Sequence, residues 1–510
     1  MKRLILCNDG TWNTPDQEDN GIPSPTNVVK LYHALAERDT KGVRQLKYYH
    51  PGVGAAGGIV DSVLGGAMGV GIGNHIRSAY HWIATHYAPG DEIFIYGFSR
   101  GAFTARSLGG LIGRGLLKLD DVDSKESWTR VEAAYTAYRE RKSDWARPGW
   151  TFFDQGRTPI RFIGVWDTVG ALGVPDDLEV LNLFDNKDKW RFHDTALGAH
   201  VQTARHAMAI DEVRASFTVT RWSNAAEHPD AVELWFPGVH SDVGGGYATT
   251  DLSDGALIWM LDQSKQAGLC FRPGIRTTLK PDPHGVMHNS YKGAFAKLRS
   301  RPRAVDTLTP ANKAKFHASA LKRQKLSPIA YPAYRPTHSL KKIGDTWEVD
   351  VFADIRWNDT GLYLEAGHEY TFAATGEWVD SKDVCDWRGT ENDEFTKADI
   401  VRGVSSFLGK FESLVVRLTK NNSTDFLGTK RVEKFRWFTL VGAIANDRGD
   451  NAVVPNDGSP SPHEYVDLPA HTVKPFAVTS PGYLYCFPND VWSLYGNNHG
   501  SVKLTITRVG

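Results

Sequence analysis

The sequence predicts a two-part fold: an α/β domain whose mostly parallel sheet is covered by helices, followed by an all-β sandwich. Three observations carry this expectation. Over the first 290 residues, short apolar runs alternate with longer helical stretches. From about 297 to 343 the chain turns basic and proline-punctuated, with Pro302, Pro310, Pro328, Pro332 and Pro336. After Trp347 it becomes short alternating strands separated by Gly, Asn and Asp clusters. The expected units are therefore an α/β domain over 1–296, a linker packed as irregular chain over 297–343, and a β-sandwich over 344–510.

In the first unit the expected strands are Arg3–Cys7, Gln45–Tyr49, Glu92–Tyr96, Ile160–Trp166, Ala215–Thr220 and Val232–Phe236. The expected helices are Asn27–Leu35, Gly73–Tyr87, Gly101–Leu116, Thr129–Glu140, Ala196–His206 and Gly255–Ala267. In the last unit the clearest strands are Glu369–Ala373, Ser413–Leu418 and Val502–Thr507. A chain of 510 residues with 41% hydrophobic content has room for two or three full cores. Lys and Arg total 59 against 59 Asp and Glu, so the basic excess of a nucleic-acid binder is missing. The scattered Cys7, Cys270, Cys385 and Cys486 form neither a CxxC pair nor a zinc-like spacing, and are read as reduced thiols of a protein made in the cytoplasm. The apolar run after Lys2-Arg3 breaks off at Asn8-Asp9-Gly10, too soon for a signal peptide. Membrane contact is therefore expected to be peripheral.

The strongest chemical signal is Gly97-Phe98-Ser99-Arg100-Gly101, a G-x-S-x-G pentapeptide that follows a strand and opens a helix. A serine at such a turn sits in strained backbone, and flanking glycines leave room for the tight approach of strand and helix. The helix start presents free N–H groups to a developing oxyanion, so the Arg100 N–H is a donor by position. Two more strand ends carry partners in the order Ser, Asp, His of α/β-hydrolases: Asp167 after the run ending in Trp166, and His240 in the glycine-rich loop after Phe236. His240 is expected to take the serine proton while Asp167 fixes the imidazole tautomer. Asp242 is the rival acid, better suited by its closeness to His240 to shaping that loop. Asn8-Asp9-Gly10-Thr11 leaves the first strand, and the N–H of Gly10 or Thr11 is the expected second oxyanion donor. A plain Asp-Gly turn there stays open. Gly52-Val53-Gly54-Ala55-Ala56-Gly57 matches a dinucleotide fingerprint but lacks the acidic residue about twenty positions on, so it reads as a close-packed loop near the active-site mouth.

Six blocks in one order, LILCNDGTWN, NHIRSAYHWIATHY, PGDEIFIYGFSRGAFTAR, FIGVWDTVGALG, HAMAIDEVRASF and FPGVHSDVGGGY, resemble the α/β-hydrolase family that contains the first class of type VI secretion lipase effectors. The resemblance covers roughly residues 1–290. It implies a phospholipase or related esterase with Ser99, Asp167 and His240 as its triad and no catalytic cofactor. It further implies an antibacterial toxin secreted into target cells, acting at a phospholipid surface, with secretion-spike proteins and an immunity protein as partners.

The last unit has its own resemblance. GLYLEAGHEYTFAATGEW, LVGAIAND and Phe487-Pro-Asn-Asp490-Val-Trp-Ser-Leu494-Tyr-Gly-Asn497-Asn498-His-Gly look like the calcium-dependent galactophilic bacterial lectin. That implies calcium held by Asp490, Asn497 and Asn498 with carbonyls at Leu494 and Ser381, an all-oxygen set suited to Ca²⁺, and a glycan ligand. Leu494 stands where that family has a polar residue, and the loop after Trp387 lacks its sugar-contacting histidine. That Asn497 and Asn498 only shape a turn stays open. Three functions are thereby framed: a lipolytic serine hydrolase with a binding sandwich, an esterase on small soluble esters, and a binding protein with a degenerate hydrolase domain.

Overall fold

The structure is a computed structural model and describes residues 1–11, 13–52, 67–142, 146–170, 195–297, 299–325, 334–380, 383–390, 430–449, 461–492 and 494–510. Its first unit is built on a parallel six-stranded sheet of β1 (Arg3–Asn8), β2 (Gln45–His50), β3 (Glu92–Phe98), β4 (Phe162–Trp166), β5 (Ala204–Ala209) and β6 (Ala231–Phe236), in the spatial order β2-β1-β3-β4-β5-β6. Neighbouring side chains of these strands point to opposite faces, and both faces are apolar. Leu4, Leu6, Ile93, Ile95, Ile163 and Val165 pack on one side with Ile76, Tyr80, Leu108 and Val131. Those four come from the helices α2 (Ala67–His86), α3 (Arg100–Gly113) and α4 (Ser124–Arg139). Ile5, Cys7, Phe94, Tyr96, Phe162 and Trp166 pack on the other side against α1 (Asn27–Ala34) and α6 (Asp251–Gln266), while the short α5 (His240–Gly244) follows β6. A sheet covered on both faces explains why its strands read as near-continuous apolar runs.

Two expectations fail here. Ala196–His206 is not a helix; its last residues enter β5, and the chain before them is irregular. Ala204-Arg-His-Ala-Met-Ala is rich in helix formers, but ladders to β4 and β6 on both sides override that propensity. Ala215–Thr220 is not a strand; Ala215–Phe217 forms a 3₁₀ turn and no ladder. Among its described residues the segment over 297–343 is largely irregular but carries α7 (Ala318–Lys325). Its Val305, Leu308 and Phe316 pack with Met208, Ile210 and Trp235 at the β5–β6 end of the sheet.

The C-terminal unit consists of two facing antiparallel sheets. One runs β8 (Asn358–Leu364), β14 (Gly482–Pro488), β11 (Leu440–Ile444), β12 (Glu464–Asp467). The other runs β10 (Asp383–Cys385), β9 (Glu369–Asp380), β15 (Asn498–Arg508), β7 (Thr346–Phe352), with β13 (Phe476–Ala477) also on β9. Alternate residues Tyr370 and Phe372 of β9, and Val502, Leu504 and Ile506 of β15, meet Leu362, Leu440 and Leu484 between the sheets. The strand expected at Ser413–Leu418 lies outside the described residues.

Candidate active site

β3 delivers Ser99 into a turn held open by its neighbours. Ser99 has φ 58° and ψ −122°, a region that side-chain-bearing residues rarely occupy. Backbone hydrogen bonds over-determine it: the Ser99 N–H donates to Trp166 O at 3.1 Å, and Ser99 O accepts from Ala102 N at 3.1 Å. The flanking glycines are required sterically. A Cβ on Gly97 would lie 2.2 Å from Gly101 O, and one on Gly101 would lie 2.2 Å from Asn8 O. The pentapeptide therefore packs α3 directly onto the ends of β1 and β3.

Asp167 follows β4, whose Trp166 is the ladder partner of Phe98. It is fully buried, with φ 39°. Its Oδ2 accepts from His240 Nδ1 at 2.5 Å and its Oδ1 accepts from Ala209 N at 2.8 Å. Arg303 closes on the same carboxylate as a fork, Nη1 to Oδ1 at 2.6 Å and Nη2 to Oδ2 at 2.9 Å. Burial alone would raise this carboxyl; the Arg303 charge and the hydrogen bonds from His240 and Arg303 outweigh it and hold the group well below the usual carboxylate range.

His240 opens α5 with its ring 4.6 Å from that of Phe98, the residue before Ser99, and 5.0 Å from Phe217. Burial lowers its pKa, against the opposing hydrogen bond and charge of Asp167. Among the described residues no hydrogen bond joins Ser99 Oγ to His240. Glu212, buried beside this group, accepts from His240 N at 3.2 Å and Ser290 Oγ at 2.9 Å and is ion-paired to Arg214. Asp242 turns away from His240. It accepts from Val239 N at 3.0 Å and from His288 Nδ1 at 2.6 Å, so it shapes the loop.

Of the expected oxyanion donors, Arg100 is the first residue of α3. The Gly10 N–H departs from expectation: it donates to its neighbour Asp9 Oδ1 at 2.7 Å, so it is already committed. Asp9 Oδ2 in turn accepts from Thr26 Oγ1 and Tyr49 Oη, both at 2.8 Å. Burial pushes the Asp9 carboxyl up to about 6 against these bonds. Thr11 is buried, and its hydroxyl has no partner among the described residues. Gly52 packs on this turn, where an added Cβ would lie 1.7 Å from Gly10 O; the rest of the G-x-G-x-x-G match lies outside the described residues.

In the sandwich, register brings Asp380 of β9 opposite Asn498 of β15. Asn497 Nδ2 donates to Asp380 Oδ1 at 2.5 Å, and Asn498 Nδ2 donates to Asp490 Oδ2 at 2.9 Å. Asn498 Oδ1 is buried without a partner among the described residues. Burial, and next the charge of Asp380, push the Asp490 carboxyl up to about 7. Two carboxylates near enough for the charge of one to act on the other, beside an orphaned amide oxygen, offer the oxygen ligands a hard cation takes. The Leu494 side chain is partly exposed, and its carbonyl accepts from Asn497 N at 3.1 Å. Ser381 lies outside the described residues.

Sequence reasoning missed Arg303, Glu212 and Asp380. Arg303 sits in a Lys/Arg-rich stretch indistinguishable from solvated charge, and its partner lies 136 residues away. Glu212 lies within the HAMAIDEVRASF block, which by itself assigns it no role, and only strand register places Asp380.

No helix among the described residues is long and apolar enough to cross a membrane. The uncharacterized protein YEL023C of Saccharomyces cerevisiae is 32% identical over 244 residues, 42% of this chain and 32% of its own length. The chain thus spans about a third of that relative. A solved structure of the Tle1 effector bound to the VgrG spike of the type VI secretion system is 16% identical over 55% of this chain and 76% of that chain, with a TM-score of 0.34. The N-terminal domain of EclA, a PllA-like lectin, is 17% identical over 32% of this chain and 95% of that chain, with a TM-score of 0.15. The family model for the catalytic domain of Tle1-like type VI secretion phospholipase effectors matches residues 2–263, just over half of the 510 residues. That stretch holds Ser99, Asp167 and His240, and through it the chain belongs to the Tle1-like phospholipase effector family.

Proposed function

We propose that the protein is a serine ester hydrolase that cleaves an acyl ester of phospholipids through an acyl-enzyme. The observation that carries this reading is a serine at positive φ on a G-x-S-x-G elbow, beside a buried Asp167–His240 hydrogen bond of 2.5 Å, inside the family's catalytic domain. His240 Nε2 accepts the Ser99 hydroxyl proton as Oγ attacks the ester carbonyl, and the imidazolium is stabilised by Asp167. The N–H groups of Arg100 and Thr11 receive the oxyanion, aided by the positive end of α3. The tetrahedral intermediate expels the alcohol with the proton returned by His240. Water, deprotonated by His240, then releases the fatty acid.

The β-sandwich serves as a binding module for a glycan or headgroup. Asp490, Asn497 and Asn498, with the Leu494 carbonyl, would hold a calcium ion there that supplies charge and rigidity, not catalysis. In this reading the protein is an antibacterial effector delivered into target cells by a secretion spike and neutralised in the producer by an immunity protein. Hydrolysis of mixed phospholipid vesicles is compared with that of short soluble esters, using wild type and Ser99→Ala. The reading expects vesicle hydrolysis that vanishes in Ser99→Ala. Activity confined to soluble esters would replace the lipase by an esterase, and turnover by Ser99→Ala would overturn the serine mechanism.

A further inference from the structure

The Arg303–Asp167 fork belongs to a structure that spans both domains. Arg303 is 6% exposed, and besides the carboxylate it donates to Ala209 O at 2.5 Å and Phe217 O at 2.7 Å. It thereby joins the triad acid to the end of β5 and to the turn that packs Phe217 on His240. The residues just before it are held from both sides. On the α/β side, Arg301 N donates to Val213 O at 2.6 Å and Ala215 N donates to Arg299 O at 3.1 Å. On the sandwich side, Trp357 Nε1 donates to Ser300 O at 2.9 Å, His463 Nε2 donates to Pro302 O at 2.9 Å, and Arg301 pairs with Asp447. His463 is fully buried in this contact.

We propose that Arg303 is a positioning residue of the active site, and that the β-sandwich, by clamping residues 300–302, completes the catalytic centre rather than being an independent module. The proposal rests on Asp167 being the acid of the triad. A planar guanidinium fixes both oxygens of a carboxylate at once, which one lysine ammonium cannot do. It also places a permanent cation behind the carboxylate that faces His240, disfavouring the imidazolium. The other charged or titratable groups around His240 are Glu212 and Arg214 after β5, and Asp242 with His288 in the following segments. Geometry and charge are thus two separable contributions of one side chain.

The test uses the full chain, with the pH profile of kcat/KM, kcat and KM measured separately, and folding checked by melting and near-ultraviolet circular dichroism. Arg303→Lys keeps the cation and loses the fork: kcat should fall roughly tenfold or more with KM little changed and the acid limb in place. Arg303→Met loses both: kcat should fall further, and the acid limb should move up by about one pH unit. Trp357→Phe, which removes the hydrogen bond to Ser300 and part of the ring packing on His463, Phe487 and Arg431, should lower kcat several-fold with the melting temperature followed in parallel. Should Arg303→Met not fold, Arg303→Lys and Trp357→Phe carry the test. Wild-type kcat in Arg303→Lys overturns the positioning role, and wild-type kcat in Trp357→Phe overturns the part assigned to the sandwich. An Arg303→Met protein whose activity loss only tracks its unfolded fraction, with an unmoved acid limb, reduces Arg303 to a structural residue and overturns the proposal. Failure of the underlying serine mechanism would show instead as turnover by Ser99→Ala, which none of these outcomes mimics.

Discussion

Ser99→Gly should give a protein that is inactive yet more stable than Ser99→Ala. Ser99 occupies φ 58° and ψ −122°, and backbone held in such a region costs on the order of 1–3 kcal/mol when a Cβ is present. Alanine keeps the Cβ and therefore the strain, whereas glycine removes it. The bonds from Ser99 N to Trp166 O and from Ala102 N to Ser99 O are backbone bonds and survive both substitutions. Glycine's extra freedom in the unfolded chain takes back about 0.5–1 kcal/mol, leaving a net advantage of roughly 1 kcal/mol at mid-range and at most about 2.5 kcal/mol. For an α/β domain of this size that corresponds to a Tm about 2 °C, and at most about 4 °C, above that of Ser99→Ala. Differential scanning calorimetry of the two full-length variants at one scan rate reads this difference directly. If Ser99→Gly melts at or below Ser99→Ala, the elbow stores no strain, and the account of why this serine sits where it does is wrong.

Three further outcomes follow from the same geometry. Asp167→Asn and His240→Ala should each lower kcat by about 10³–10⁶-fold and add little to Ser99→Ala, since triad members act as a unit. Asp242→Asn should retain most activity; the opposite pattern in steady-state assays would exchange the two acids. The proposed mechanism needs a neutral His240, and burial lowers that imidazole's pKa despite Asp167. kcat/KM should therefore be full at neutral pH and be lost as pH falls through a midpoint below the ordinary histidine value of about 6.5; a midpoint at or above 7 contradicts the assigned environment. Calcium should raise the melting temperature of the wild type increasingly as its free concentration exceeds the dissociation constant. Asp490→Ala should abolish that response, and a wild-type melting point indifferent to calcium and chelator would reduce Asp490, Asn497 and Asn498 to a turn.

The sheet was readable where period and context agreed. Leu4 and Leu6 against Ile5 and Cys7 already carry the two-faced burial of β1, and the glycines of the elbow announce a contact that tolerates no Cβ. β5 was not readable, because Ala and Met prefer helix in isolation and only two flanking strands make them extended. The turn at Ala215–Phe217 resembles a strand in sequence because Phe and Thr in an apolar run mimic one, while in the structure it lays Phe217 on His240. Arg303 and the Trp357 and His463 contacts behind it pair residues more than fifty positions apart or across domains, and no local pattern encodes them.

Covalent labelling reads out whether Ser99 is a nucleophile activated by His240. The full-length protein is treated with a fluorophosphonate, digested, and the modified peptide located by mass spectrometry. One adduct is expected on the peptide containing Ser99, absent in Ser99→Ala and formed orders of magnitude more slowly in His240→Ala. An adduct on another residue, or undiminished ester hydrolysis by a protein that cannot be labelled at Ser99, would contradict it.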